Sequence, residues 1–159
     1  MRSIKKRRLQ RKTNYLRRRR ILETGKDRIV VRKSNKYIIV QYVKSEVAQD
    51  KVIYSFNSRE LIKQGWPENK KGSLKSIPAA YLSGFIFGKK IKKEKEKSTL
   101  DMGLIRSTKG SKVYAVLKGI VDAGAKVYYN DVNFPSDERI FKPEFKEIIN
   151  KIKSKSEDK

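Results

Sequence analysis

Cysteine and histidine are both absent from this chain of 159 residues. Without cysteine there is no disulfide framework and no thiolate metal site. Without histidine the chain lacks the commonest general base and the commonest metal ligand, so hydrolysis by a serine–histidine pair is excluded. Any catalysis would have to use carboxylates, lysine or tyrosine, and we expect neither a metal nor a cofactor.

Long apolar runs are absent as well. No stretch of about 18 apolar residues occurs, so the sequence predicts no membrane-spanning helix. The basic N-terminus is not followed by the apolar run of a secretory signal. We therefore expect a cytoplasmic protein.

Acidic residues are scarce. There are 17 of them against 41 lysines and arginines, which gives a formal net charge of +24. A compact domain with that excess repels itself, which favours a polyanionic partner. Nucleic acid is the first candidate because neutralised phosphates release counterions. An anionic membrane surface is the second, and acidic proteins are the third.

The pattern of apolar residues predicts a mixed α/β fold. Ser34 and Asn35 form a tight turn between two β-rich segments, since both residues bond readily to their own backbone. A third segment alternates, which places Val52, Tyr54 and Phe56 on one face. We predict an antiparallel meander from these segments, extended by further strands into one mixed sheet with helices mainly on one face. The three segments are residues 28–32, 37–43 and 50–56.

Later segments alternate between helix and strand. Ser58 is predicted to cap a short helix, and Pro78 suits the start of a longer helix that runs on to Lys97. Gly124 closes a third helix. The remaining predictions are helices at 58–63, 78–97 and 111–123, strands at 99–102 and 126–129, a short helical segment before residue 140, and a marginal helix after residue 144. The domains are a basic arm (1–25), the main α/β domain (26–140) and a Lys-rich tail (141–159).

The first 20 residues contain eleven lysines or arginines and no acid. Such a block cannot bury itself, so phosphates are expected to order it. Thr13 or Asn14 is predicted to cap a short helix, which Gly25 ends. This helix would direct Arg17 to Arg20 towards phosphates.

Two loops have the composition of a phosphate-binding site. The hairpin tip from Arg32 to Lys36 places three cations around two small polar residues, although an ordinary solvated hairpin has the same pattern. The segment from Arg106 to Ser111 precedes a helix N-terminus, where free amides favour an anion. Simple helix capping by Ser111 is the alternative there.

Several aromatic residues are candidates for stacking on bases. These are Tyr15, Tyr37, Trp66 and Tyr81, of which we assign Tyr37 and Tyr81 to the core and leave Trp66 open. Asp101 and Asp122 would be the carboxylates of a metal-dependent nuclease, but the acids are few and scattered. We therefore predict a protein that is not an enzyme.

The ordered motifs of the chain resemble large-subunit ribosomal protein family eighteen in its archaeal and eukaryotic form. The resemblance covers about residues 11–140, with a shorter arm than is usual in the family. Each motif alone is weak, and their order and spacing are specific. They are Thr13-Asn-Tyr15, Arg17 to Arg20, Arg28-Ile-Val-Val-Arg-Lys-Ser-Asn-Lys-Tyr37, Ser58-Arg-Glu-Leu61, Gly65-Trp66, Pro78 to Gly84, Leu100 to Leu104, Ser107 to Lys112, Asp122-Ala-Gly124 and Phe134 to Ile140.

The resemblance implies a non-enzymatic ribosomal protein that binds 5S rRNA. It further implies that the protein attaches this RNA to the 23S-type rRNA in the central protuberance, beside large-subunit protein family five. A general nucleic-acid-binding protein of chromatin type, without 5S specificity, is the alternative. The predicted RNA-binding residues are Arg7, Arg8, Arg11, Lys12, Tyr15, Arg17, Arg18, Arg19, Arg20, Arg28, Arg32, Lys33, Ser34, Asn35, Lys36, Arg106, Ser107, Thr108, Lys109, Gly110, Ser111 and Lys112.

Overall fold

One mixed four-stranded sheet organises the fold, in the spatial order β3-β2-β1-β4. The computed structural model describes residues 4–46, 49–94 and 96–157. β1, β2 and β3 pair antiparallel, and β4 joins β1 in parallel. This confirms the prediction of a meander extended into one mixed sheet. The strands are β1 (Arg28–Lys33), β2 (Ile38–Glu46), β3 (Gln49–Asn57) and β4 (Thr99–Asp101).

Helices surround this sheet, and the apolar ones pack mainly on one of its faces, here called the inner face. Among the described residues, three short 3₁₀ segments connect them, at 58–60, 68–73 and 131–133. The α-helices described are α1 (Lys6–Leu9), α2 (Tyr15–Glu23), α3 (Leu61–Gln64), α4 (Ile77–Ile91), α5 (Lys112–Asp122), α6 (Asp137–Ile140) and α7 (Pro143–Glu157).

The centre of the core is the contact between α4 and α5. α4 is apolar on nearly all sides and buries twelve of its fifteen residues, which is the pattern of a helix enclosed by protein. Gly84 and Gly119 let the two backbones approach closely, because a β-carbon on Gly84 would lie 2.0 Å from the carbonyl oxygen of Val116. Ile29, Val31 and Val40 supply the inner face of the sheet below them.

A β-bulge changes the face to which one predicted residue belongs. The register shifts between Tyr42 and Val43, and Ile53 is the unpaired residue on β3. Tyr54 pairs with Tyr42 and faces the core, whereas Val52 pairs with Val43 on the other face. The prediction that Val52 shares a face with Tyr54 and Phe56 is therefore wrong.

Three predicted boundaries also differ. Asn57, not Ser58, caps the helical turn, and it forms a capping box with Glu60, while the Ser58 hydroxyl accepts from the Ile38 amide inside the core. α4 ends at Ile91 rather than Lys97, since the charged residues that follow offer no apolar stripe to bury. The segment 126–129 makes only one bridge, between Ser98 and Val127, and not a full strand.

The helix after residue 143 joins the main core. Phe145, Ile149 and Ile152 of α7 are buried, and α7 packs against α4. Phe145 stacks on Trp66, with ring centroids 5.3 Å apart. The Trp66 indole is 2% exposed and donates to the Lys70 carbonyl, so this residue belongs to the core.

Candidate nucleic-acid interface

A groove of about 580 Å³ lies on the outer face of the sheet, opposite α4 and α5. Its floor is formed by outward-facing residues of β1, β2 and β3, and its walls by the arm and the loop after β4. Two acidic residues, Asp50 and Asp101, line it. Seven basic residues line it as well, which makes the groove strongly cationic: Arg7, Lys12, Arg17, Arg18, Arg28, Arg32 and Lys33.

Helix α2 of the arm forms one wall of the groove. It begins as predicted, because the Asn14 side chain accepts from the Arg17 amide at 3.1 Å. Gly25, with a φ of +63°, follows its C-terminal end. The Arg17 guanidinium donates to the Gly103 carbonyl, and Arg18 pairs with Asp50 at 3.0 Å. These long-range contacts fix the helix against the sheet.

Arg28 departs from the predicted role of an RNA contact. Its side chain is 4% exposed and pairs with Asp50 at 2.5 Å and Asp101 at 3.6 Å. Burial alone would raise the pKa of Asp50. Hydrogen bonds from Ser45 and Arg28, together with the charges of Arg28 and Arg18, outweigh it and hold that pKa below its usual value. Arg28 therefore anchors the groove floor from within, and we leave it out of the interface.

The hairpin between β1 and β2 presents its tip to solvent. The Ser34 amide donates to the Tyr37 carbonyl at 2.9 Å, and the Ser34 hydroxyl accepts from the Tyr37 amide at 2.9 Å. Lys33, Asn35 and Lys36 are exposed. The turn is thus tightly closed by its own small residues, while its cations point outward.

The loop before α5 is held by glycine geometry. Gly110 has a φ of +65°, and its amide donates to the Asn133 carbonyl. A β-carbon there would lie 2.6 Å from the Arg139 guanidinium. Ser111 takes the N-cap position of α5, yet its side chain makes no capping hydrogen bond and its hydroxyl is buried without a partner. The alternative of simple capping by Ser111 is therefore wrong.

Three lysines from different segments repel one another electrostatically in this region. They are Lys33 of the hairpin, Lys75 before α4 and Lys112 at the start of α5. The Lys75 ammonium also donates to the Asn35 carbonyl at 3.2 Å. Burial, followed by repulsion from Lys75 and Lys33, lowers the pKa of Lys112. This lysine cluster is therefore a site where an anion would relieve unfavourable charge.

Lys33 belongs to both the groove and the lysine cluster. The structure therefore joins the arm, the hairpin and the start of α5 into one surface, which we call the cationic band. Other predicted residues are exposed but do not line the groove. In the arm these are Arg8, Arg11, Arg19 and Arg20, with Arg19 paired to Glu23, and in the loop Arg106, Ser107, Thr108 and Lys109. Tyr15 is half-buried under Lys5.

Some surface residues were missed by sequence reasoning. Lys75 lies in a polar loop with no motif of its own. Val52 was placed on the same face as Tyr54 and Phe56 because alternation cannot reveal a bulge. Tyr128 and Tyr129 are about half exposed. The sequence predicted a strand there and gave no sign of this exposure. Tyr81 is fully buried and Tyr37 partly so, which agrees with their assignment to the core.

Neither carboxylate considered for catalysis is available for it. Asp101 pairs with Arg28 and Arg32 and accepts from the Gly103 amide, while Asp122 accepts from the Tyr81 hydroxyl. Within the described ranges no group of three acids is placed to hold a metal ion. In the same part of the chain, no helix has both the length and the apolar character to cross a membrane.

The fold and this surface define a basic mixed α/β protein with a cationic outer surface. Residues 2–99 and 88–130 match the family model described as ribosomal large subunit proteins 60S L5 and 50S L18. The chain belongs to this family of large-subunit ribosomal proteins, which confirms the resemblance to family eighteen.

Archaeal relatives extend the match along most of the chain. Large ribosomal subunit protein uL18 of Aeropyrum pernix is 42% identical over 137 residues, which are 85% of this chain and 62% of the relative. The uL18 protein of Korarchaeum cryptofilum is 42% identical over 136 residues, 85% of this chain and 68% of the relative. That of Metallosphaera sedula is 39% identical over 155 residues, 97% of this chain and 77% of the relative. The chain is thus shorter than each of these relatives.

Proposed function

We propose that this protein is a structural, RNA-binding component of the large ribosomal subunit that binds 5S rRNA. In this proposal it helps attach 5S rRNA to the 23S-type rRNA in the central protuberance, beside large-subunit protein family five, on cytoplasmic ribosomes. The continuity of the cationic band carries the proposal. The band groups the three basic segments of the sequence on one surface, and membership of a ribosomal family supports rRNA as the polyanion.

The charges in the band are arranged for binding rather than catalysis. The two acids in the groove, Asp50 and Asp101, are occupied by arginines. The lysines of the hairpin and loop are exposed to solvent, where they can neutralise phosphates and so supply affinity. The shape of the band, set by the rigid hairpin and the Gly110 loop, supplies selectivity for folded RNA. Binding folded RNA in this way requires no catalytic side chain.

The runner-up function is general nucleic-acid binding without 5S specificity, which the net charge of +24 alone would also support. Competition binding separates the two. Labelled 5S rRNA is bound to the full chain and displaced with unlabelled 5S rRNA, unrelated tRNA or duplex DNA. We expect 5S rRNA to compete far better than the others and its affinity to fall steeply with salt. Equal displacement by all three would favour the runner-up.

A further inference from the structure

The exposed large apolar side chains of the described residues fall in two areas. Tyr128, Tyr129 and Val132 lie between α5 and α6, while the others lie on the arm or at the groove. Val52 at 49% and Leu104 at 53% exposure line the groove itself. We take the apolar side chains at the groove as a candidate contact surface because they share one concave site with its cations.

The floor of the groove contains a small apolar platform, of which Val52 is the exposed part, while Val43 and Val30 beside it are 5% and 9% exposed. Val52 pairs with Val43 across the sheet, and Val30 pairs with Gln41 on the same outer face. Ile21 of the arm and Ile105 of the loop after β4 extend this platform into the walls. The Gln41 amide stands among the valines, where it offers both a donor and an acceptor to the edge of a base.

The rim of the groove is cationic. Lys12 and Arg17 come from the arm and Lys33 from the hairpin, so two separate segments supply cations to the rim around the apolar platform. Arg17 uses one donor on the Gly103 carbonyl, and a guanidinium has five. An apolar floor beside cations is complementary to a nucleotide, whose base is flat and weakly polar and whose phosphates are anionic.

We propose that this groove receives one unpaired nucleotide of the bound RNA, with its base on the valine platform and its phosphates at the rim. The inference rests on the proposed function and assigns a ligand to this part of the band. The volume of about 580 Å³ lies in the range of pockets that enclose small molecules, about 300–1,000 Å³. A paired base keeps its faces covered by its neighbours, so only an unpaired base can reach the floor.

The experiment measures what the bases add to binding by the full chain. The probes are a single-stranded octaadenylate RNA and an abasic strand with the same number of phosphates. We expect the wild type to bind octaadenylate roughly tenfold more tightly, the effect of one base contact. Val52→Lys fills the platform and adds a cation. It should bind the abasic strand at least as tightly as the wild type, and the preference for bases should fall below about twofold.

Ser55→Lys is the matched control, because Ser55 lies on the same strand and the same outer face but outside the groove. It should keep the tenfold preference. Val52→Thr preserves the shape of the side chain, so it serves as the test if Val52→Lys fails to fold. It should partly reduce the preference for octaadenylate over the abasic strand. A wild type that binds both strands equally, or a folded Val52→Lys that keeps the full preference, would overturn the inference. Competition with 5S rRNA tests the proposed function separately, since 5S specificity can persist when the base preference is absent.

Discussion

On the inner face of the sheet Val31 is 1% exposed and Val40 is fully buried, whereas on the outer face Val52 is 49% exposed. The inner face is covered by α4 and α5, whose backbones touch through Gly84 and Gly119. The outer face is covered only in part by the arm, which ion pairs and single hydrogen bonds attach. Packing is close across the inner face, whereas on the outer face it covers Val30 and Val43 but leaves Val52 open.

This difference separates the source of stability from the site of binding. Apolar burial between α4, α5 and the sheet supplies stability that salt and phosphate hardly change. The cationic band holds repelling charges that lower the stability of the free protein and favour a polyanion. Changes on the inner side should therefore unfold the chain, and changes in the band should alter RNA binding with little effect on folding.

The largest effect is expected for Gly84→Ala. The added β-carbon would lie 2.0 Å from the Val116 carbonyl oxygen, so α4 and α5 would have to move apart. We expect a loss of about 3 kcal/mol in the free energy of unfolding, measured by chemical denaturation. Gly72→Ala is the control, because nothing lies within 4 Å of its added β-carbon. Equal stability of the two variants would show that the close approach of α4 and α5 at Gly84 does not contribute to the stability of the fold.

Arg28→Met should cause the next largest loss in the free energy of unfolding. It tests whether Arg28 anchors the structure. It leaves Asp50 and Asp101 without their buried partner, and breaking a buried ion pair costs about 3 kcal/mol. Asp50 is one-third exposed, so we expect about 2 kcal/mol. The salt dependence of RNA binding by the folded protein should stay unchanged. A reduced salt slope would instead mean that Arg28 contacts phosphate.

The same variant should change the response to acid. The depressed pKa of Asp50 gives stability that is complete above the unfolded pKa of about 3.9 and is lost as the pH falls through the lower folded value. Without Arg28 that pKa moves back up, so the loss on acidification should be smaller. Denaturation curves at pH 7 and below pH 4 measure the difference.

The contrast between the two faces also explains what the sequence could predict. The hairpin, the strand β4 and the helix that Asn14 caps follow from local pattern and turn chemistry, and all appear in the structure, which adds that β4 runs parallel to β1. Burial of Arg28 could not be predicted, because it depends on Asp50 and Asp101, which are distant in sequence.

The groove could not be predicted from the sequence for a related reason. The bulge at Ile53 reverses the direction of Val52, and strict alternation gives no sign of it. Lys75 joins the band only through its contact with the hairpin tip, 40 residues away in sequence. Local chemistry therefore predicted the elements and the basic segments, and tertiary contacts decided which cations share a surface.

Replacing Lys33 and Lys36 together by Ala should weaken RNA binding moderately and leave folding almost unchanged. If each lysine neutralises one phosphate, the slope of log affinity against log salt should fall by about 2. The free energy of unfolding should change by less than about 0.5 kcal/mol, because both side chains are exposed. Lys146→Ala with Lys151→Ala, at exposed positions of α7, makes the same change in net charge. An equal loss of slope in that control would mean that only total charge matters.

The smallest effect is expected for Lys112→Met, and it should have opposite signs in folding and in binding. The pKa of Lys112 is lowered by burial and by Lys75 and Lys33, so its charged form costs free energy in the folded chain. That cost is present below the folded pKa and disappears as the pH rises through it towards about 10.4.

Lys112→Met should therefore stabilise the free protein by roughly 0.5 kcal/mol at pH 7, with a smaller gain in the alkaline range. It should weaken RNA binding about threefold, because bound phosphate would have relieved the repulsion. Denaturation at pH 7 and pH 10, with RNA titrations at fixed salt, measures both. Lys109→Met removes an exposed charge from the same loop and should leave stability unchanged. A destabilised Lys112→Met would mean that the stem of Lys112 stabilises by packing more than its charge destabilises, and that the band stores no repulsion at this point.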